Sequence, residues 1–182
     1  HCHDWQAALV PLYLRTCFQN TNVGRANAVL TIHNLRFQGV YDRKMIQYWS
    51  GLPDYVFNKD CMIQNWLDAN MLKGGIAYCN KITTVSNTYA GEIQTEEYGE
   101  GLAAHLRYHN NKIRGIVNGI DTDNWNPATD KLLTANYDAE SAVENKKINK
   151  KALQESLGLE VDDHKMVIGL ISRLTNQKGL DL

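Results

Sequence analysis

The chain has 182 residues, 43% of them hydrophobic and 21% charged, and its 19 basic and 20 acidic side chains leave a formal net charge of −1. That balance gives no general electrostatic pull toward nucleic acid or an anionic membrane, and no stretch approaches the roughly 18 apolar residues of a membrane span. The length allows one large domain or parts of two, with enough chain to bury a core.

His1 begins mid-pattern with no preceding Met, so the sequence is expected to be a fragment lacking its true termini. The spacing predicts a helix over 5–17 ("WQAALVPLYLRTC") with Ala7, Leu9, Val10, Tyr13 and Leu14 on one face and Asp4 as its N-cap. "ANAVLTI" (26–32) reads as a buried strand, and "CMIQNWLDANMLKGGIAYC" (61–79) as one long helix. "KITTV" (81–85) is a second strand, followed by Ser86 placed to cap the helix "NTYAGEIQTE". "KIRGIV" (112–117) is a third, ending in an Asn-Gly turn whose residues accept positive φ. A charged helix is expected over 138–157 with Gly158 as its stop, and "KMVIGLI" (165–171) as the last strand.

Short apolar strands alternating with helices predict an α/β fold, a parallel sheet covered on both faces. In such sheets ligands collect at the carboxyl ends of the strands. That rule selects Asp4, His33-Asn34, Asn118-Gly119 and the segment from Arg173 through Lys178 to Gly179.

The four cysteines are scattered with no CxxC pair, which suits a reducing compartment and small core residues. "HCHDW" puts His1 and His3 on one side of an extended segment. It departs from the HxHxDH run of metallo-β-lactamase-type zinc hydrolases, because Asp4 comes one place early and Gln6 fills the sixth position. His105 and His109 lack the glutamate of HExxH and read as a solvated helix face. No metal is expected.

His33 follows three strand residues, so its ring either meets a sugar hydroxyl or carbonyl in the crevice or merely ties down the loop. Asn118 could present its amide to a ligand, although the turn alone would account for it. Asp121, Trp125 and Pro127 are expected to shape and anchor the loop that follows. Arg173 and Lys178 offer a bidentate fork and a point charge. Beside a helix N-terminus they would make a diphosphate receptor. There is no GxxxxGK[ST] and no GxGxxG, which removes support for P-loop hydrolysis and dinucleotide redox chemistry.

Taken together, "HCHDWQ", "TIHNLRFQG", "TTVSNTYAGEI", "NGIDTDNWNPATD" and "SRLTNQKGLDL" resemble motifs of the bacterial glycogen synthases and plant starch synthases, in the same order and over essentially the whole chain. The resemblance implies a GT-B architecture of two Rossmann-like domains facing across a cleft. Residues 1–137 would be the second half of the N-terminal, acceptor-side domain and 138–164 the interdomain connection. Residues 165–182 would be the first strand and phosphate-binding loop of the nucleotide-binding domain.

The activity it implies is retaining transfer of glucose from ADP-glucose to the non-reducing end of an α-1,4-glucan, with no cofactor or metal. The setting would be the bacterial cytoplasm or, in a plant, the plastid stroma. By the same resemblance Arg173 and Lys178 contact the donor diphosphate, and His33 lies near the transferred glucose. Asp4 supports the cleft, while Asn34, Asn118 and Gly119 line the sugar site. Gln6 departs from the family's histidine and can carry no proton or charge. The alternatives are a related GT-B enzyme with another donor or acceptor, such as a sucrose or trehalose-type synthase, and a chain inactive by itself.

Overall fold

The apolar, β-branched runs become strands because their alternate side chains can be buried against helices. The computed structural model describes residues 1–65, 67–175 and 178–180. Two compact units result, His1–Gly119 and Ile120–Leu182; the division falls before residue 137, the expected end of the first domain.

The first unit is built on four parallel strands: β1 (Cys2–His3), β2 (Val29–Ile32), β5 (Lys81–Thr84) and β6 (Ile113–Gly115) in the spatial order β1-β2-β5-β6. Between β2 and β5 the chain makes an excursion in which β3 (Val40–Asp42) pairs antiparallel with β4 (Asp68–Asn70). The helices are α1 (Leu9–Arg15), α2 (Arg43–Ser50), α3 (Met71–Tyr78), α4 (Asn87–Glu92) and α5 (Ala103–Tyr108).

Register decides which side chains share a face. Cys2, Leu30, Ile82 and Ile113 are in line across the sheet and are all buried in one apolar cluster with Leu72, Ile76, Ile93 and Leu106 from the helices. One step along, His3, Thr31, Thr83 and Arg114 form a polar line on the opposite face, with His3 and Arg114 exposed. The expected parallel sheet flanked by helices is present, with its buried apolar cluster gathered against Leu30, Ile82 and Ile113.

Helix α3 packs on α1 closely enough that a Cβ at Gly75 would lie 2.8 Å from the Ala8 Cβ and carbonyl oxygen. A second cluster, including Leu12, Ile46, Val56, Phe57, Met62 and Met71, holds the excursion.

Three expected elements come out differently. The helix over 5–17 begins as a 3₁₀ turn, Trp5–Ala7, which winds tighter than an α-helix and shifts the buried stripe. As a result α1 buries Leu12, while Val10 is 45% exposed.

The helix over 61–79 survives only as α3. Buried Asn70 stops it, since its Oδ1 accepts from Lys73 N at 2.9 Å as an N-cap and its amide nitrogen donates to Gln38 and Gln64.

The strand over 165–171 does not form. Among the described residues the second unit has no other strand to pair with its backbone, and Met166 stands 84% exposed. That unit is organised by α6 (Ala142–Ser156), which begins later than the expected 138. Gly158 at φ +66° follows it, with Gly158 N donating to Glu155 O and Leu159 N to Gln154 O, as expected of a glycine stop. Asn149 pins the preceding loop by exchanging two hydrogen bonds with the Ala135 backbone, at 2.7 and 2.9 Å.

Candidate functional site

The carboxyl ends of β1 and β2 bring Asp4 and His33 together. The parallel register sets His3 beside Thr31 and leaves each strand's next residues at the same edge. Asp4 does not cap the helix after it. Its Oδ1 accepts from the His33 backbone amide at 2.8 Å, and its own amide donates to Thr31 O at 2.9 Å. These bonds hold Asp4 at φ 52°, ψ −167°, a region that costs a side-chain-bearing residue on the order of 1–3 kcal/mol. The strain sits at the end of β1, beside the end of β2 from which His33 is presented.

His33 is exposed, and its Nε2 lies 2.9 Å from His3 Nδ1 with the rings nearly stacked, 24° between planes. His1 also lies against His3, centroids 4.3 Å apart, and its Nε2 is 2.6 Å from Thr31 Oγ1. Thr31 Oγ1 is in turn 2.6 Å from Thr83 Oγ1. Nitrogens that could have converged on a metal are thus engaged with one another and with a hydroxyl. Among the described residues no group of three or more His, Cys, Asp or Glu side chains is set to hold a metal ion.

The loop after His33 is tied down from elsewhere in the chain. Leu35 N donates to the Tyr89 hydroxyl at 3.0 Å, and Asn34 Oδ1 accepts from Arg36 N at 3.1 Å. Tyr89 is positioned because Ser86 Oγ caps α4 by accepting from Tyr89 N at 2.9 Å, so the expected cap also serves the His33 loop. Burial pushes the Tyr89 hydroxyl above its ordinary range, and its protonated oxygen is the acceptor for Leu35 N.

Trp5, directly after Asp4, lines two cavities. One, of about 540 Å³, is apolar, with Leu9, Tyr13, Tyr41, Met45 and an 81% exposed Trp49. The other, of about 460 Å³, is more polar, with Arg36, Gln38, Gln64 and Glu100. Gly39, at φ +64°, passes so close that a Cβ there would meet the Trp5 ring at 2.5 Å.

Asn118 and Gly119 are exposed, and neither has positive φ. The tight-turn expectation is therefore wrong: the backbone forms no turn at these two residues and first turns at 122–124. Asp121 shapes that loop as expected, accepting from the amides of Asp123 and Asn124 and from the Asn124 side chain, which holds its carboxyl below the usual range. Trp125, 77% exposed, does not anchor it. Arg173 and Lys178 are exposed in the second unit, and Asn176 and Gln177, expected between them, lie outside the described residues.

His105 and His109 are not a solvated face. Both are half-buried, their ring centroids 4.8 Å apart, and His105 Nε2 lies 3.1 Å from Lys73 O. Burial, helped by the neighbouring Lys112, pushes each down to about 4. The cysteines are all free, and Cys2, Cys61 and Cys79 are buried core residues. Burial pushes Cys61 up to about 12 and Cys79 up to about 11, so neither supplies a thiolate at neutral pH.

The role of His3 beside His33 was missed by sequence reasoning, which weighed His3 only as a metal ligand. The available signal was the pairing of "HCH" with "TIH" on adjacent parallel strands. No helix among the described residues is long and apolar enough to cross a membrane.

Residues 1–108 match the family described as the starch synthase catalytic domain. The whole chain is 49% identical to a glycogen synthase of Lachnospira eligens and 51% identical to one of Thermotoga maritima, spanning 38% and 37% of their respective lengths. Among solved structures, the catalytic domain of starch synthase IV from Arabidopsis thaliana, bound to ADP and acarbose, matches with a TM-score of 0.76 and 38% identity. That match covers 88% of this chain and 33% of the neighbour.

Proposed function

Because the chain belongs to the starch synthase catalytic domain family, we propose that it forms part of a retaining glucosyltransferase that moves glucose from ADP-glucose to the non-reducing end of an α-1,4-glucan. The observation that carries the reading is the strand-end cluster, in which Asp4 grips the backbone of His33 and leaves the imidazole exposed at the sheet edge. Relatives named glycogen synthase along the whole chain, and a neighbour bound to ADP and acarbose, support the choice of donor and acceptor.

In this reading residues 1–137 belong to the acceptor-side domain, 138–164 connect, and 165–182 open the nucleotide-binding domain. His33 and Asn34 face the transferred sugar, with Asp4 holding their loop. Asn118 and Gly119 complete the sugar side. Arg173 and Lys178 bind the diphosphate. Negative charge grows on the departing diphosphate as the bond to glucose breaks, and fixed cations in a water-poor cleft stabilise it without a metal. Closure of the two domains would unite these groups. No cofactor takes part. The setting is the cytoplasm of a bacterium, or the plastid stroma of a plant.

The chain spans less than two fifths of the lengths of these curated relatives. The 182 residues alone are therefore expected to be inactive, and activity to require the polypeptide extended to the relatives' full span. The test is a donor panel on the extended protein with glycogen as acceptor, reading released nucleoside diphosphate. Turnover with ADP-glucose supports the reading. Preference for another donor, or a monosaccharide acceptor, replaces it with a sucrose or trehalose-type synthase.

A further inference from the structure

We propose that His3 is a positioning residue for His33: it accepts a hydrogen bond from His33 Nε2–H, locks that tautomer, and leaves His33 Nδ1 as a bare acceptor aimed at a sugar hydroxyl. The inference rests on the proposed function in having His33 face the sugar, but its central claim can be read without any substrate.

The two ring nitrogens are 2.9 Å apart, so one ring must donate and the other accept. If His3 donated from Nδ1, it would carry its hydrogen on the nitrogen that a free histidine side chain disfavours, and His33 would be forced into that same tautomer. If His33 donates from Nε2, both rings keep the Nε2–H form that free imidazole side chains prefer. The second arrangement costs neither ring anything.

Two further contacts make the geometry persistent. His1 lies against His3, with 33° between ring planes, and is itself tied to Thr31. Asp4 fixes the His33 backbone. The imidazole is therefore held at its root by one neighbour and at Nε2 by another, and rotation about its side-chain bonds would break the second hold. A bare Nδ1 can receive a hydroxyl hydrogen but not a carbonyl or carboxylate oxygen, which gives the site a preference for a polyol over an oxidised sugar.

The test is nuclear magnetic resonance on this 182-residue chain with ¹⁵N-labelled histidine, at a pH where both rings are neutral. His33 is expected to show hydrogen on Nε2 only, with a through-hydrogen-bond coupling to His3 Nδ1. His3→Phe should release His33 into a mixture of tautomers. His3→Asn, whose Oδ1 can accept in place of Nδ1, should restore the single form. Hydrogen on His33 Nδ1 in the unaltered chain, averaging between tautomers, or an unchanged spectrum in His3→Phe would each overturn the proposal. In the extended protein, normal turnover by His33→Ala would remove the sugar-facing role of His33 while leaving the tautomer result standing, so the two failures are distinguishable.

Discussion

The Asp4 carboxylate accepts a 2.8 Å hydrogen bond from the backbone amide of His33, and in doing so holds Asp4 itself at a φ of 52°. One residue thus stores strain while it fixes the backbone beneath a presented imidazole. Asp4→Ala should lose the bond and keep the strain, costing about 1–3 kcal/mol in urea unfolding. Asp4→Asn retains an oxygen acceptor and should stay near the parent. Asp4→Gly should fall between them, because glycine adopts this backbone freely. Equal losses for Ala and Gly would show that the backbone bears no strain.

The approach of α3 to α1 makes an opposite pair of glycine substitutions informative. At Gly75 a methyl group meets the Ala8 backbone at 2.8 Å, whereas at Gly91 in α4 nothing lies within 4 Å. Gly75→Ala should destabilise by about 1–2 kcal/mol, overpacking outweighing the better helix propensity of alanine. Gly91→Ala should stabilise by about 0.5–1 kcal/mol. Thermal melting of both variants decides it, and a gain at Gly75 would mean the helices separate without cost.

His105 and His109 should make stability acid-sensitive. Folded, burial pushes both rings from the ordinary 6.5 down to about 4, with His109, Lys73 and Lys112 opposing protonation of His105 and Lys112 that of His109. The unfolded chain binds more protons between those values, so their contribution is complete above about pH 6.5 and drains away toward pH 4. Each is worth on the order of 1 kcal/mol after solvent screening. His105→Gln keeps a donor for Lys73 O without a titrating ring. It should flatten the pH dependence of the urea midpoint across this window, and an unaltered slope would mean that the acid sensitivity comes from groups other than these buried rings.

Arg173 and Lys178 are exposed, so their removal should leave folding intact. In the extended protein Arg173→Ala and Lys178→Ala should each lower turnover about 10²–10³-fold, the usual cost of one donor to developing charge. Arg173→Lys should rescue only partly, since a point charge cannot reproduce the bidentate fork. Normal kinetics in both alanine variants would move the diphosphate elsewhere.

Much of this was legible locally. Val29–Ile32, Lys81–Thr84 and Ile113–Gly115 are strands within the expected segments. Ser86 caps α4, and Gly158 follows α6 at φ +66°. The cap and the stop are decided by residues within a turn of one another, and the strand segments announce themselves by their contiguous apolar, β-branched runs, so the chain's own order contains these answers. The motifs that carried the family resemblance are also contiguous, which is why membership could be read before any coordinates.

Chain order was therefore enough for the α/β class, the family and the strand ends at which Asp4 and His33 stand. It took folding in three dimensions to turn Asp4 from its own helix to the His33 amide, to set His3 against His33, and to bring Tyr89 onto Leu35. The same holds for Asn70, which breaks the helix expected over 61–79, and for 165–171, which forms no strand where no partner is described. The physical reason is range. A cap or a stop closes over a few residues, whereas a parallel register brings together side chains far apart in the chain, and a strand exists only when another backbone answers its amides.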